Sequence, residues 1–163
     1  IKNYHLVEKI SDGHYWFDAE IGKPTGIENY ELRIANYDLS IDSLNVGNPV
    51  AVIFVEGFEQ FDWRSIGKEI ESHSKFPDRT NVVFVKVIDA ENIEIRIWER
   101  GAGETSSSGT CSTAAAIAQL AKRNLRGILH VHAEGGTTDV TWREDDEMLI
   151  LGRADFVFDG EYE

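Results

Sequence analysis

The chain has 163 residues, 42% of them hydrophobic and 28% charged, with a formal net charge of −13 and one cysteine. That length suits a single domain, 1–163, with ordinary globular proportions and a core large enough to fold without staples. The acidic balance argues against nucleic acid or a membrane surface as partner, and a lone thiol excludes an internal disulfide framework.

Taken in chain order, the first five residues show neither the basic nor the apolar region of a signal peptide. They also lack an initiator Met, so the chain is expected to begin partway through a longer protein. Residues 15–21 and 30–35 alternate like strands, and 46–55 is a stronger one around an unbroken apolar run. Asp62 is placed to cap a helix whose Trp63, Ile66 and Ile70 fall three and four apart; it ends near Ser72, before Pro77. Residues 81–88 and 93–98 read as a hairpin about Asp89-Ala90-Glu91-Asn92. Residues 128–133, 137–142, 148–151 and 155–158 complete the strands, with Gly135-Gly136 and Glu144-Asp145-Asp146 as turns. His130 and His132 share one face of their strand without a third ligand nearby, so no metal site is expected. No segment reaches the ~18 apolar residues of a membrane span, and with a lone thiol a reducing cytoplasm is the expected compartment.

One helix stands apart. Residues 109–124 carry small or apolar side chains on every side, with no charge until Lys122. A helix without charge around its circumference is buried around its circumference. The expected fold is therefore α+β: a curved, mostly antiparallel sheet wrapped around a central buried helix.

The segment entering that helix, Glu99-Arg100-Gly101-Ala102-Gly103-Glu104-Thr105-Ser106-Ser107-Ser108-Gly109-Thr110, is rich in glycine and hydroxyls. The first N–H groups of a helix have no internal partner and the dipole is positive there, so a carboxylate or phosphate is the natural occupant. A nucleotide phosphate loop would need Lys after Gly109, and none is present. Glu99 and Arg100 close the preceding strand and are expected beside the same cavity. Spacing alone leaves open a plain helix cap with a surface ion pair.

The block Trp98-Glu99-Arg100-Gly101-Ala102-Gly103-Glu104-Thr105, followed by Ser108-Gly109-Thr110, resembles the signature of diaminopimelate epimerases. Gly47-Asn48-Pro49 and Phe76-Pro77-Asp78-Arg79-Thr80-Asn81-Val82 upstream, and Glu134-Gly135-Gly136 and Gly152-Arg153-Ala154-Asp155-Phe156-Val157-Phe158 downstream, resemble further blocks of that family in the same order.

The resemblance implies an isomerase of two similar halves, each a sheet wrapped on a helix, with the active site between them. It implies cofactor-free proton transfer at an amino-acid α-carbon in the lysine and peptidoglycan precursor route, using neither pyridoxal nor metal. This chain corresponds to the C-terminal half, which by itself is not expected to complete the reaction. The implied partners are a small amino-acid substrate and the N-terminal half, with a homodimer through the less polar cleft face as a further possibility.

Carried over by position, Glu99 and Arg100 match the pair at the substrate's polar groups, and Asn48 and Asn81 match its binding amides. Gly109 and Thr110 match the helix-start donors to the α-carboxylate. Ser108 stands where the family has its second catalytic cysteine, and Val50 where it usually has a His. A serine hydroxyl ionises far less than a thiol. That departure keeps two alternatives in view: a binding domain that has lost the chemistry, and another cofactor-free isomerase of the fold, of the phenazine-biosynthesis type. Cys111 lies one turn into the helix and is expected to be core packing.

Overall fold

A computed structural model describes residues 2–161. The elements run β1 (Asn3–Ser11), β2 (His14–Gly22), β3 (Thr25–Ile34), β4 (Tyr37–Asn45), β5 (Pro49–Phe54), α1 (Trp63–Glu71), β6 (Asn81–Val87), β7 (Asn92–Glu99) and β8 (Gly103–Thr105). Helix α2 (Gly109–Lys122), β9 (Gly127–Ala133), β10 (Gly136–Trp142) and β11 (Met148–Asp155) follow. The strands form one sheet in the order β1-β2-β11-β10-β9-β7-β6-β5-β4-β3, with β8 paired to β7 off that path.

Two pairings are parallel, β5 with β6 and β7 with β9, and each is bridged by a helix. Parallel neighbours need such a crossover because a tight turn cannot return the chain to the same end. β7 runs antiparallel to β6, so the two crossovers start from strands of opposite direction. A right-handed connection from opposed strands, stepping the same way along the sheet, places the helices on opposite faces.

Strand alternation confirms the division. Val50, Val52, Val83, Val85, Ile95 and Ile97 pack with α2, whereas Ala51, Ile53, Val82 and Phe84 pack with Trp63, Ile66 and Ile70 of α1. Every residue from Cys111 to Leu120 is buried, as the uncharged circumference required. Strands β4 to β7 and β9 to β11 all touch α2, so the sheet curves around it. Hydrophobic burial on this scale, about 1.5–3 kcal/mol for each large apolar side chain, fixes the helix axis and hence its N-terminus.

Two strand expectations need correction. The strong strand begins at Pro49, not 46: residues 46–48 form a turn in which Gly47 has φ +111 and its N–H donates to Asn45 Oδ1 at 2.8 Å. Residues 155–158 are not a separate strand. β11 continues unbroken to Asp155, held by β2, and Phe156, Val157 and Phe158 lie exposed beyond it. Strands β1, β4 and β8 had no distinct reading from sequence. β1 is exposed on both faces, so it carries no burial alternation to read.

Candidate active site at the N-terminus of the central helix

Register gathers the candidates at one end of the sheet. Val50 pairs with Asn81 on the parallel neighbour, Val82 pairs with Trp98, and Glu99 pairs with Gly103. Asn48, Asn81, Glu99 and Arg100 therefore stand at the same sheet end, where β8 turns the chain into α2. Asn81 is buried, and its Oδ1 accepts the Arg100 N–H at 2.9 Å. The Asn48 Oδ1 is buried without a hydrogen-bond partner among the described residues. A buried carbonyl oxygen left unmatched costs free energy and marks a place where a donor belongs.

Ser108 is the N-cap of α2, in extended conformation with φ −156 and ψ 118. Its hydroxyl donates to Glu99 Oε1 at 2.6 Å, a short charge-assisted bond. The capping bond it accepts from the Cys111 N–H is long, 3.5 Å. The carboxylate, not the cap, sets the position of this hydroxyl. Thr110 Oγ1 lies 3.4 Å from the same oxygen. The Gly109 and Thr110 N–H groups belong to the first turn, which has no intrahelical acceptors, and they carry the positive end of the helix dipole. A carboxylate arriving there would meet two backbone donors, beside a serine oxygen whose own proton is given to Glu99.

The loop that delivers Ser108 is held from behind. Gly135 N–H donates to Ser106 O at 2.7 Å, and a Cβ at Gly135 would stand 2.9 Å from that oxygen. The Gly135-Gly136 turn therefore permits a close backbone approach that any side chain would prevent. A cavity of about 360 Å³, lined among others by Ser107, Gly136, Thr138 and Arg153, borders this loop.

Glu99 and Arg100 do not share a cavity, contrary to expectation. Glu99 faces Ser108, while the Arg100 guanidinium donates to the Asp78 carbonyl at 2.9 Å. With Pro49, Lys75 and Arg79, Arg100 lines a cavity of about 420 Å³ that neither Glu99 nor Ser108 enters. β7 ends at Glu99, and Arg100 stands in the turn beyond it that the Ala102 N–H closes onto Glu99 O, so adjacency in sequence does not keep the two side chains together.

Cys111 is fully buried, and burial pushes its thiol up to about 12, with the nearby Glu99 charge adding to the effect. It is an inert core residue. His130 pairs with Asp139 at 2.7 Å and His132 with Asn92 and Thr137, each at 2.9 Å. Among the described residues no group of three His, Cys, Asp or Glu side chains is arranged to hold a metal ion, and no helix is long and apolar enough to cross a membrane.

The sequence reading missed Glu71. This carboxylate, the last residue of α1, is 4% exposed and binds the strand end that carries Glu99. The signal was its place on the helix: Trp63, Ile66, Gly67, Ile70 and Glu71 form one buried stripe. An acidic residue on such a stripe needs partners.

The diaminopimelate epimerase family model matches residues 43–157. The diaminopimelate epimerase of Acinetobacter baumannii is 38% identical over 158 residues, covering 89% of this chain and 56% of that protein. That of Halothermothrix orenii is 36% identical over 134 residues, covering 82% and 47%. The chain thus spans about half the length of the curated relatives it matches. Among solved structures, a phenazine biosynthesis protein of the PhzF family from Bacillus anthracis superposes with a TM-score of 0.62 at 14% identity, covering 94% of this chain and 62% of that one. A hydroxyproline epimerase from Agrobacterium vitis gives 0.55 at 12% identity, covering 88% and 50%. These two likenesses establish the fold.

Proposed function

The chain belongs to the diaminopimelate epimerase family, and from that premise we propose that it forms one wall of a site that moves a proton at the α-carbon of diaminopimelate, interconverting its stereoisomers without a cofactor. The observation that carries this reading is the 2.6 Å bond between Ser108 and Glu99 at the start of α2. In the proposed step the α-carboxylate sits on the Gly109 and Thr110 N–H groups. The Cα–H bond breaks, its proton passes to Ser108 Oγ, and the Ser108 proton passes to Glu99 Oε1. Charge released at Cα spreads onto the α-carboxylate, where the helix N-terminus stabilises it as an oxyanion hole does. A donor on the opposite face, from the part of the protein outside this chain, returns a proton to Cα and completes the inversion.

Asn48, with its unmatched Oδ1, is the proposed acceptor for a substrate ammonium, and Asn81 and Arg100 shape the wall behind it. The serine is the weak element. Its hydroxyl needs the Glu99 carboxylate to act as a base, because free serine is not ionised near neutrality. A second reading rests on that same residue: with the hydroxyl also serving as a helix cap, the site binds an amino acid and does no chemistry.

The test is incubation of the full-length protein that carries this chain with LL-diaminopimelate, followed by chiral chromatography. Appearance of the meso isomer supports the epimerase reading. Saturable binding with no meso isomer supports the binding reading and contradicts the first.

A further inference from the structure

Glu71 sits on the α1 face of the sheet, away from Ser108, yet its carboxylate reaches three residues in two chain segments. Oε2 accepts the Trp98 Nε1–H at 2.8 Å. Oε1 accepts the Gly101 N–H at 2.7 Å and pairs with Arg79 Nη2 at 2.6 Å. The Glu71 carbonyl accepts the Thr80 N–H at 3.2 Å. Every donor in this set is an N–H, so the group must act as an acceptor throughout. Burying a carboxylate costs several kcal/mol unless it is matched in this way.

The anchors bracket the site. Trp98 and Gly101 lie on either side of Glu99 and Arg100, and between them the chain makes a turn closed by the Ala102 N–H to Glu99 O at 3.1 Å. Gly101 adopts φ +80 within it. Arg79 and Thr80 lead directly to Asn81, whose Oδ1 holds the Arg100 N–H. Close packing of α1 makes the reach possible. Gly67, one turn before Glu71, lets the helix approach so near that a Cβ there would stand 2.9 Å from Trp98 Cβ.

We infer that Glu71 is a positioning residue for the proton-transfer site: it clamps the 98–101 turn and the 79–81 segment together, and so sets the aim of Glu99 at Ser108. The inference rests on the functional reading above and deepens it. Glu71 itself touches neither Ser108 nor the helix start.

The experiment uses Glu71→Gln in the full-length protein. Gln keeps one oxygen for Gly101 and Arg79 but turns its NH2 toward the Trp98 indole N–H, setting donor against donor. The expected result is a fall in kcat of about 10-fold or more, with KM changed by less than about 3-fold, per mole of folded enzyme. The double variant E71Q/W98F removes the clashing indole donor and leaves a smaller aromatic ring, and is expected to recover most of the lost kcat. Full kcat in folded E71Q overturns the inference, as does a loss that W98F leaves untouched. Should the wild-type protein catalyse no exchange, the functional reading fails by itself. The clamp is then read by NMR: Glu71→Gln must move the Ser108 and Gly109 amide resonances, and unmoved resonances overturn it.

Discussion

The Ser108 hydroxyl is held by Glu99 at 2.6 Å and by its own helix at only 3.5 Å. An N-cap serine ordinarily spends its oxygen on the first-turn N–H groups and contributes about 1 kcal/mol. Here the carboxylate draws it away, toward where a substrate α-carbon would meet the helix start. Removing the carboxylate charge, and with it the base, tests whether that arrangement is chemical. Glu99→Gln is expected to slow α-proton exchange by about 100-fold or more, the range of a lost general base, with little change in stability. An unchanged rate in chemical denaturation-matched samples would assign Glu99 a structural role.

Ser108→Cys addresses the same position from the other side. A thiol with pKa near ~8.5 is a few per cent ionised at neutrality, whereas the serine hydroxyl is not. The substitution is expected to raise the exchange rate by about 10-fold or more, with a rate that climbs as pH rises through the thiol range. A slower variant would show that the site has adapted to the hydroxyl.

Cys111 gives a prediction with no dependence on substrate. Its thiol is pushed up to about 12 by burial, so it stays protonated at pH 8. An aromatic disulfide reagent is expected to label it only after the protein unfolds in guanidinium chloride. Rapid labelling of the native protein would contradict its burial.

Gly67 sets two effects against each other. Alanine gains about 1 kcal/mol of helix propensity, but its Cβ would meet Trp98 Cβ at 2.9 Å. That neighbour is near the backbone and cannot swing aside, and overpacking of this kind costs about 1–3 kcal/mol. Gly67→Ala is therefore expected to lower the urea midpoint and reduce exchange together, since α1 carries Glu71. A stabilised, fully active variant would show that α1 shifts freely.

His130 supplies the pH dependence. The hydrogen bond that His130 donates to the Asp139 carboxylate raises its pKa above 6.5, with the Asp139, Glu91 and Asp89 charges adding and burial opposing. A folded-state pKa above the unfolded one gives stability that is fully present below about pH 6.5 and lost as pH rises through the folded value. Both side chains are over a third exposed, so the contribution is small. The urea midpoint of wild type minus that of His130→Gln is expected to shrink between pH 6 and 8; a constant difference would contradict the pairing.

Much of this was legible in the sequence because the strongest signals were periodic. The uncharged circumference of α2 announced a helix buried from Cys111 to Leu120, and the structure shows it so. What sequence hid depended on three-dimensional partners. The separation of Glu99 and Arg100 follows from the end of β7 at Glu99, which leaves Arg100 in the turn beyond it. Glu71 read as one of many solvated acids because its partners, Arg79, Trp98 and Gly101, converge only after α1 crosses the sheet. The 46–48 turn precedes the apolar run of 50–55; a strand extended back from that run crosses Gly47-Asn48-Pro49, residues that themselves favour a turn, and Gly47 has φ +111 there.

The most direct test of the central claim is proton NMR of diaminopimelate in deuterium oxide with the full-length protein, wild type beside Glu99→Gln. Loss of the α-proton signal with wild type, and its persistence with the variant, is the predicted result. Persistence with both, at a concentration that saturates binding, would contradict proton transfer at Ser108 and Glu99.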